Sequence, residues 1–148
     1  MSTNFDKLDK YFLGCNLYHA FAIVVATLNH ELRRVGLDLT YPQFLILETV
    51  FRRPGLSQSE LARENAKDSG AVTRSVAYLE KQDFLETKWI NGCTKGVFPT
   101  KKAEAIRPLL EKAIQETLDR ACVDIEQEQI LLLNQLLLQI KKTLSKSR

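Results

Sequence analysis

Apolar residues recur every three or four positions along most of the chain, which is the spacing of amphipathic α-helices. The first such run ends at Val35, and Gly36 directly after it can close the helix in a left-handed conformation. Within this run residues 20–28 are almost continuously apolar, but the stretch is far shorter than the roughly 20 residues needed to cross a bilayer. We therefore expect a long first helix that is buried in protein and does not span a membrane.

Two further helix starts carry matched capping residues. Thr40 with Gln43, and Ser57 with Glu60, have the spacing of capping boxes, in which each side chain bonds a backbone amide of the other residue. They predict helices that begin directly after Thr40 and Ser57.

The second of these helices is short and is followed closely by another. It should end near Asn65, and Asp68 can cap a helix that runs from Ser69 to about Gln82. Two short helices joined by a tight turn are typical of a helix-turn-helix.

Residues 86–98 depart from the helical period. Two stretches suited to β-strands, 88–90 and 94–98, flank Asn91-Gly92, a dipeptide typical of hairpin turns. A hairpin directly after a helix-turn-helix predicts a wing.

The remainder of the chain predicts two more helices. Thr100 can cap the first, and the spacing of Asp124 and Gln127 predicts a capping box at the start of the second. The last helix carries apolar residues on more than one face: Ile130, Leu131, Leu132, Leu133, Leu136, Leu137, Leu138, Ile140 and Leu144.

This surplus predicts a partner chain, since a surface helix of one domain needs a single apolar stripe. The first helix shows a similar surplus in Phe21, Ile23, Val24 and Val25. A symmetric homodimer would cover both helices; the alternative is that these residues fill one large core.

The predicted fold class is therefore mainly α, a winged helix-turn-helix with dimerisation helices at both ends. Residues 37–100 form the DNA-binding region, and residues 1–36 and 101–148 form the dimerisation region, within one structural unit.

The helix after Asp68 has two distinct sides. Steps of about 100° per residue place Val72, Val76 and Leu79 on the side that must face the domain. The opposite side carries small and cationic residues suited to the major groove, and Arg74 can give two hydrogen bonds to guanine. The candidate DNA contacts on or beside this helix are Ser69, Gly70, Thr73, Arg74, Ala77, Lys81, Arg63 and Lys67.

The positive charge lies in the same part of the chain. The net charge is +3, and residues 52–107 hold 11 Lys/Arg against 7 Asp/Glu, an excess of 4, so the flanking segments together carry −1. A local positive excess around a helix-turn-helix predicts double-stranded DNA as the partner.

The order of these motifs resembles the MarR family of bacterial and archaeal regulators, and the likeness extends over nearly the whole chain. It rests on residues 39–44, 56–62, Asp68, 72–74, 78–81, 84–85 and 99–100. The resemblance implies a homodimer that binds a pseudo-palindromic operator, usually as a repressor, and that often releases the operator on binding a small phenolic ligand or on oxidation.

The predicted wing departs from the family pattern. Members commonly carry an Asp-x-Arg element whose arginine enters the minor groove, but Asn91-Gly92-Cys93 stands here, and no arginine lies between Arg74 and Arg107. This departure leaves an alternative function, a winged-helix protein-interaction module with weakened DNA binding.

Other wing residues can take part in DNA binding. Lys88 and Lys95 can substitute as phosphate contacts. Trp89 is expected to pack against the wing and not to insert into DNA.

The resemblance also implies a place for an effector. Cys15 lies one residue out of register with the reactive cysteine of hydroperoxide-sensing members, and Tyr41 matches a tyrosine that hydrogen-bonds that cysteine. His30 takes the place of a second tyrosine. Cys15, His30 and Tyr41 are therefore the candidates for a redox site or a small aromatic ligand site.

The residues indicate no metal, cofactor or catalytic site. Three widely spaced cysteines, and two histidines about 16 Å apart on one helix, do not form a metal site, and no catalytic triad or phosphate-binding glycine loop appears. Residues 1–6 lack the segments of a secretory signal. We expect a cytoplasmic protein that is not an enzyme.

Overall fold

The computed structural model describes the backbone of residues 4–147 and the side chains of residues 9–147. The elements in this part of the chain are α1 (Asn4–Arg34), α2 (Tyr41–Arg52), α3 (Gln58–Glu64), α4 (Ser69–Lys81), β1 (Leu85–Trp89), β2 (Lys95–Pro99), α5 (Lys101–Ala121) and α6 (Gln127–Ser145). The predicted fold class, mainly α with a two-stranded wing, is confirmed. Residues 1–3, which belong to the segment tested above for a secretory signal, lie outside the described residues.

The chain divides into two compact units, Met1–Ile114 and Gln115–Arg148. The first unit contains α1 to β2 and the first two thirds of α5. The second unit contains the rest of α5 and α6.

The core of the first unit draws one or more aliphatic side chains from almost every element. The largest fully buried side chains are Leu28, Leu32, Ile46, Leu47, Val50, Leu61, Val72, Val76, Leu79, Val97 and Leu110. Burial of each contributes about 1.5–3 kcal/mol, so this set holds α2, α3, α4 and the wing together.

The helix starts in this unit are held by the predicted side chains. In the box of α2 the amide of Thr40 donates to Gln43 Oε1 at 3.0 Å, and in that of α3 the amide of Ser57 donates to Glu60 Oε2 at 2.8 Å. The reciprocal bonds to Thr40 Oγ1 and Ser57 Oγ are also formed. Gly36 has φ of +83°, which confirms the left-handed end of α1.

The capping box of α6 does not lie where the sequence spacing predicted it. Glu126 precedes α6, and its amide donates to Gln129 Oε1 at 3.0 Å, so the predicted pair Asp124 and Gln127 is wrong. A backbone hydrogen bond from Ile125 to Cys122 forms a turn that places the helix start two residues later.

The prediction of a buried first helix is also wrong for the single chain. Among the described side chains of α1, only Leu28 and Leu32 are buried, whereas the large side chains of Tyr18, Phe21 and Ile23 are exposed. By length and mean hydropathy residues 9–34 also resemble a membrane-spanning helix. A helix that packs against a second chain can have the same length and hydropathy, because it too needs a largely apolar surface.

Helix α6 has no buried residue at all. Six of its leucines are at least half exposed: Leu131, Leu132, Leu133, Leu136, Leu138 and Leu144. The surplus of apolar residues predicted for both terminal helices therefore lies on the surface of the described chain.

The wing is an antiparallel hairpin in which Leu85 pairs with Pro99 and Trp89 with Lys95. Its loop spans five residues and is held by one side chain, since Asn91 Oδ1 accepts hydrogen bonds from the amides of Cys93 and Thr94, both at 3.0 Å. The hairpin is confirmed, but Asn91 and Gly92 do not adopt the left-handed conformations of a two-residue turn.

Strand β2 is held on its other side by the turn after α2. The amide of Gly55 donates to the Val97 carbonyl and the amide of Val97 donates to the Leu56 carbonyl, both at 2.8 Å. A Cβ at Gly96 would lie 2.6 Å from the Gly55 carbonyl oxygen and 2.6 Å from Ile90 Cδ1. Only glycine at position 96 permits this close approach of two backbones.

Replacing Gly96 with alanine should therefore displace β2 and lower the free energy of unfolding by about 1–3 kcal/mol, as overpacking does elsewhere. Urea unfolding measures the change. Gly92→Ala is the matched control, because a Cβ at Gly92 meets no atom within 4 Å, and it should alter stability by less than about 0.5 kcal/mol. Equal effects of the two substitutions would contradict the close approach.

Candidate nucleic-acid interface

Helix α4 is fixed on one side by three buried residues and at its start by a cap. The side chains of Val72, Val76 and Leu79 are fully buried. Asp68 Oδ1 accepts a hydrogen bond from the amide of Ala71 at 2.8 Å. The predicted cap and the predicted inward side of the helix are both confirmed.

The predicted outward side of α4 is on the surface. Lys67 is partly buried, and the other seven candidate residues are exposed: Ser69, Gly70, Thr73, Arg74, Ala77, Lys81 and Arg63. The structure thus brings the candidates on α4 together on one face, with Arg63 and Lys67 just before the helix.

The side chain of Arg74 lies back along α4 over Gly70. A Cβ at Gly70 would lie 3.4 Å from Nη1 of Arg74 and 3.2 Å from Oδ1 of Asp68. Among residues 9–147 no carboxylate lies within ion-pair distance of Arg74. The guanidinium is therefore available to an anionic or base partner, and the absence of a Gly70 side chain leaves room for it.

The turn between α3 and α4 is tight, as predicted, and includes a residue with positive φ. Ala66 has φ of +51°, and the amide of Lys67 donates to the Ala62 carbonyl at 3.0 Å. The side-chain amide of Asn65 donates to the Leu61 carbonyl at 2.9 Å and joins this turn to α2 through Thr49 Oγ1 at 3.3 Å. These bonds hold the turn after α3 and attach it to α2.

One contact that the sequence did not indicate joins α3 to α4. The hydroxyl of Thr73 lies 3.0 Å from Oε1 of Gln58 and 2.8 Å from the carbonyl oxygen of Ser69. Gln58 thereby lies beside the outward face of α4. No spacing rule marks it, because the contact forms only once the two helices cross.

Helix α4 is also joined to the segment between α1 and α2. The hydroxyl of Tyr78 donates to the carbonyl of Asp38 at 2.7 Å. Burial and the neighbouring Asp38 raise the pKa of Tyr78 above its ordinary value of 10.0, so the phenol stays protonated and keeps donating at neutral pH.

The two wing lysines differ in their surroundings. Nζ of Lys88 lies 2.7 Å from Glu86 Oε1, so an acidic neighbour partly neutralises it. Nζ of Lys95 lies 4.7 Å from the ring centroid of Trp89. Trp89 is 63% exposed, so the expectation that it packs against the wing is wrong; the hairpin is too narrow to cover an indole at the end of β1.

The effector candidates do not gather in one place within the chain. Cys15 and His30 lie on one continuous helix, about 22 Å apart along its axis at about 1.5 Å per residue. His30 is exposed and its Nδ1 lies 3.6 Å from Glu31. Cys15 is partly buried.

Tyr41 lies at the start of α2 and is partly buried. Its ring stacks on Phe44 with centroids 5.8 Å apart, and its amide donates to Asn29 Oδ1 at 2.6 Å. Burial raises the pKa of Tyr41 above its ordinary value of 10.0. Within the part of the chain with described side chains, no three His, Cys, Asp or Glu residues gather as metal ligands.

A capped helix pair, an outward cationic face and a following hairpin define a winged helix-turn-helix DNA-binding protein. Residues 37–88 match the model of the MarR family. This match confirms, for this part of the chain, the resemblance to the MarR family found in the sequence.

The chain is also similar to a known regulator and to solved structures. YybA, an uncharacterized HTH-type transcriptional regulator of Bacillus subtilis strain 168, is 29% identical over 112 residues, which cover 74% of this chain and 75% of YybA. The crystal structure of a MarR-family regulator from Rhodococcus sp. RHA1 has the same fold, with a TM-score of 0.79 and 16% identity over 95% of this chain and 96% of that chain. A Mycobacterium tuberculosis MarR family protein in complex with salicylic acid matches with a TM-score of 0.67 and 23% identity over 86% of this chain and 95% of that chain.

The capping box of α3 should make stability depend on pH. Hydrogen bonds from Ser57, followed by the charges of Arg63 and Arg53, lower the pKa of Glu60 below its ordinary value of 4.5. Because the folded pKa lies below the unfolded one, the ionised carboxylate stabilises the fold above about pH 4.5, and this stabilisation is lost as the pH falls through the folded pKa.

Glu60→Gln keeps a side chain that can accept in the box but cannot ionise. The wild type should therefore be more stable than Glu60→Gln at pH 7, and the difference should shrink towards zero at pH 3. Urea unfolding of both proteins across this range measures it. A difference that stays constant with pH would contradict a role for the Glu60 charge.

Proposed function

We propose that this chain is a homodimeric, cytoplasmic repressor that recognises a pseudo-palindromic operator and responds to a small aromatic ligand or to oxidation. One observation carries the DNA-binding part of the proposal. Helix α4 presents Arg74 between small residues on an exposed face, while its opposite side is fully buried.

In this proposal the residues of α4 divide by role. Arg74 bonds guanine in the major groove, and Gly70 and Ala77 let the helix approach the bases. Ser69 and Thr73 contact phosphate or base. The remaining candidates attract phosphates without reading sequence: Arg63, Lys67, Lys81, Lys88 and Lys95.

The dimer is supported by the exposed apolar surfaces of α1 and α6. We assign dimerisation to residues 1–36 and 101–148 and DNA binding to residues 37–100. Isolated soluble chains rarely expose this much apolar surface, and a twofold dimer is the commonest way to cover it.

A membrane is a less suitable partner for α1 than a second chain. A bilayer crossing would remove Asn16, His19 and His30 from water, which is costly in hydrocarbon. A helix-helix interface can leave such residues at its edge.

The effector response is supported by the relative that was crystallised with salicylic acid. We propose Tyr41 and His30 as contacts for a small aromatic ligand. Cys15 is too distant along α1 to share that site within one chain, and we propose it separately as the oxidation-sensitive residue.

The alternative function is a protein-interaction module. It is favoured by the missing wing arginine and by the exposed apolar side chains of Trp89 and Ile90. Such a module would bind DNA without sequence preference, and Arg74→Ala would have little effect on any DNA signal.

Selection from random duplexes, followed by titration of the selected duplex and a scrambled one, tests DNA recognition. If about 6–10 phosphates are contacted, affinity should fall about 10³- to 10⁵-fold between 50 and 200 mM salt. Arg74→Ala should weaken binding to the selected duplex by about 1–3 kcal/mol, and binding to the scrambled duplex much less. Arg33→Ala, an exposed arginine in the last turn of α1, is the matched control.

The proposal also fixes the stoichiometry of this titration. Sedimentation should give twice the chain mass for the free protein, and two chains should bind each selected duplex. A folded dimer with no preference among duplexes would favour the interaction module, and a folded monomer would exclude the twofold operator.

The effector response is tested on the same selected duplex with salicylate and with hydrogen peroxide. Salicylate should lower DNA affinity for the wild type and less for Tyr41→Ala or His30→Ala. Peroxide should lower it for the wild type but not for Cys15→Ser, with Cys122→Ser as control. If neither reagent changes the affinity, the effector part is wrong while DNA recognition stands.

A further inference from the structure

The end of the wing exposes a tryptophan together with a lysine. Trp89 closes β1, is 63% exposed and pairs across the hairpin with Lys95, whose ammonium lies over the indole ring at 4.7 Å. A large aromatic side chain that is not covered by its own domain is uncommon on a narrow hairpin, and aromatic residues are enriched where proteins contact partners.

The strand register shows which side of the wing carries this pair. Successive side chains of a strand alternate between its faces, so Leu85, Thr87 and Trp89 share one face of β1. The hydroxyl of Thr87 is hydrogen-bonded to the carboxylate of Glu80 on α4. Trp89 lies two positions further, about 7 Å along the strand, and therefore extends the face of the wing that adjoins α4.

The other wing lysine belongs to the opposite face. Lys88 alternates with Trp89, is paired with Glu86 and lies 5.5 Å from the ring centroid of Phe98. Among residues 9–147 no carboxylate lies within ion-pair distance of Lys95. Of the two lysines, only Lys95 therefore lies on the face that adjoins α4, and its charge is free to meet a phosphate there.

We propose that Trp89 and Lys95 together form the DNA contact of this wing, in place of a minor-groove arginine. The indole packs against deoxyribose at the edge of the duplex that α4 reads, and the ammonium of Lys95 lies at an adjacent phosphate. This inference rests on the proposed binding of DNA by α4. The contact of Trp89 and Lys95 adds affinity without hydrogen bonds to base edges, so it does not itself read sequence.

Charge favours DNA over a protein as the occupant of this surface. Lys81 at the end of α4 and Lys95 on the wing are both exposed, on a segment with a positive excess of 4. A protein partner would have to be acidic and would compete with DNA for the same side of the molecule. The duplex offers deoxyribose to the aromatic ring and phosphate to the cations at the same time.

The protein contains one tryptophan, so its fluorescence reports on the wing alone. Selectively excited indole emission should change on titration with the selected duplex, saturate at the stoichiometry given by anisotropy of a labelled duplex, and become less accessible to a soluble quencher. Alkylation of Cys93, which is exposed in the adjoining loop, should slow in the complex. Mass spectrometry distinguishes alkylation of Cys93 from alkylation of Cys15 and Cys122.

Substitutions separate the aromatic contribution from the ionic one. Trp89→Ala should weaken binding to selected and scrambled duplexes alike, by about 5- to 20-fold, because apolar area buried against deoxyribose is lost, and Trp89→Phe should weaken it less. The salt slope should not change. Lys95→Gln should lower the salt slope by about one. Arg52→Gln, which removes an exposed cation at the end of α2 that is not among the proposed DNA contacts, is the charge-matched control.

The outcomes of these measurements are distinguishable. If the labelled duplex binds but indole emission and quencher access stay unchanged, the wing contact is wrong and DNA recognition by α4 stands. An unchanged affinity of folded Trp89→Ala overturns the wing contact as well. If the labelled duplex does not bind, the proposed function fails and the wing contact with it.

Discussion

The burial of three aliphatic side chains fixes the rotation of α4 about its own axis, and the residues that α4 exposes for the proposed contact with DNA depend on that rotation. Val72, Val76 and Leu79 are each fully buried, and their burial contributes about 5–9 kcal/mol in total. This free energy is similar to the whole stability of a typical domain. A rotation of α4 that exposed the three side chains would therefore unfold the unit before it brought another side of the helix to the surface. Arg74 is exposed because the burial of Val72 and Val76 holds the opposite side of the helix against the core.

Features that depend on a few neighbouring residues were predictable from the sequence. The caps at Thr40, Ser57 and Asp68 bond amides three residues away, so the spacing alone specifies them. The start of α6 shows the limit of this reasoning. The spacing of a capping box occurs at Asp124 and again at Glu126, and only the turn that follows α5 decides which one begins the helix.

Features that depend on distant segments meeting were not predictable. The contact of Gln58 with Thr73 requires the crossing of α3 and α4, and the close approach of Gly96 to Gly55 requires β2 to lie on the turn after α2. The exposure of Trp89 follows from the width of a two-stranded sheet, which no local pattern states. The fold class and the division of α4 into a buried and an exposed side were thus accessible from the sequence, whereas the surroundings of the wing were not.

The segment between α1 and α2 is held by side chains from outside it, at Asp38 and directly after the segment at Tyr41. Asn29 on α1 holds the amide of Tyr41, and Tyr78 on α4 holds the carbonyl of Asp38. In the proposed dimer, a tilt of the C-terminal part of α1 would be passed to α4 through this short segment, because its hydrogen bonds join it to both helices. The spacing between the two α4 helices of a dimer would then follow the tilt of α1, and with it the match to operator half-sites one helical turn apart. This loop therefore joins α1 to α4 through hydrogen bonds in space, and does not only link α1 to α2 along the chain.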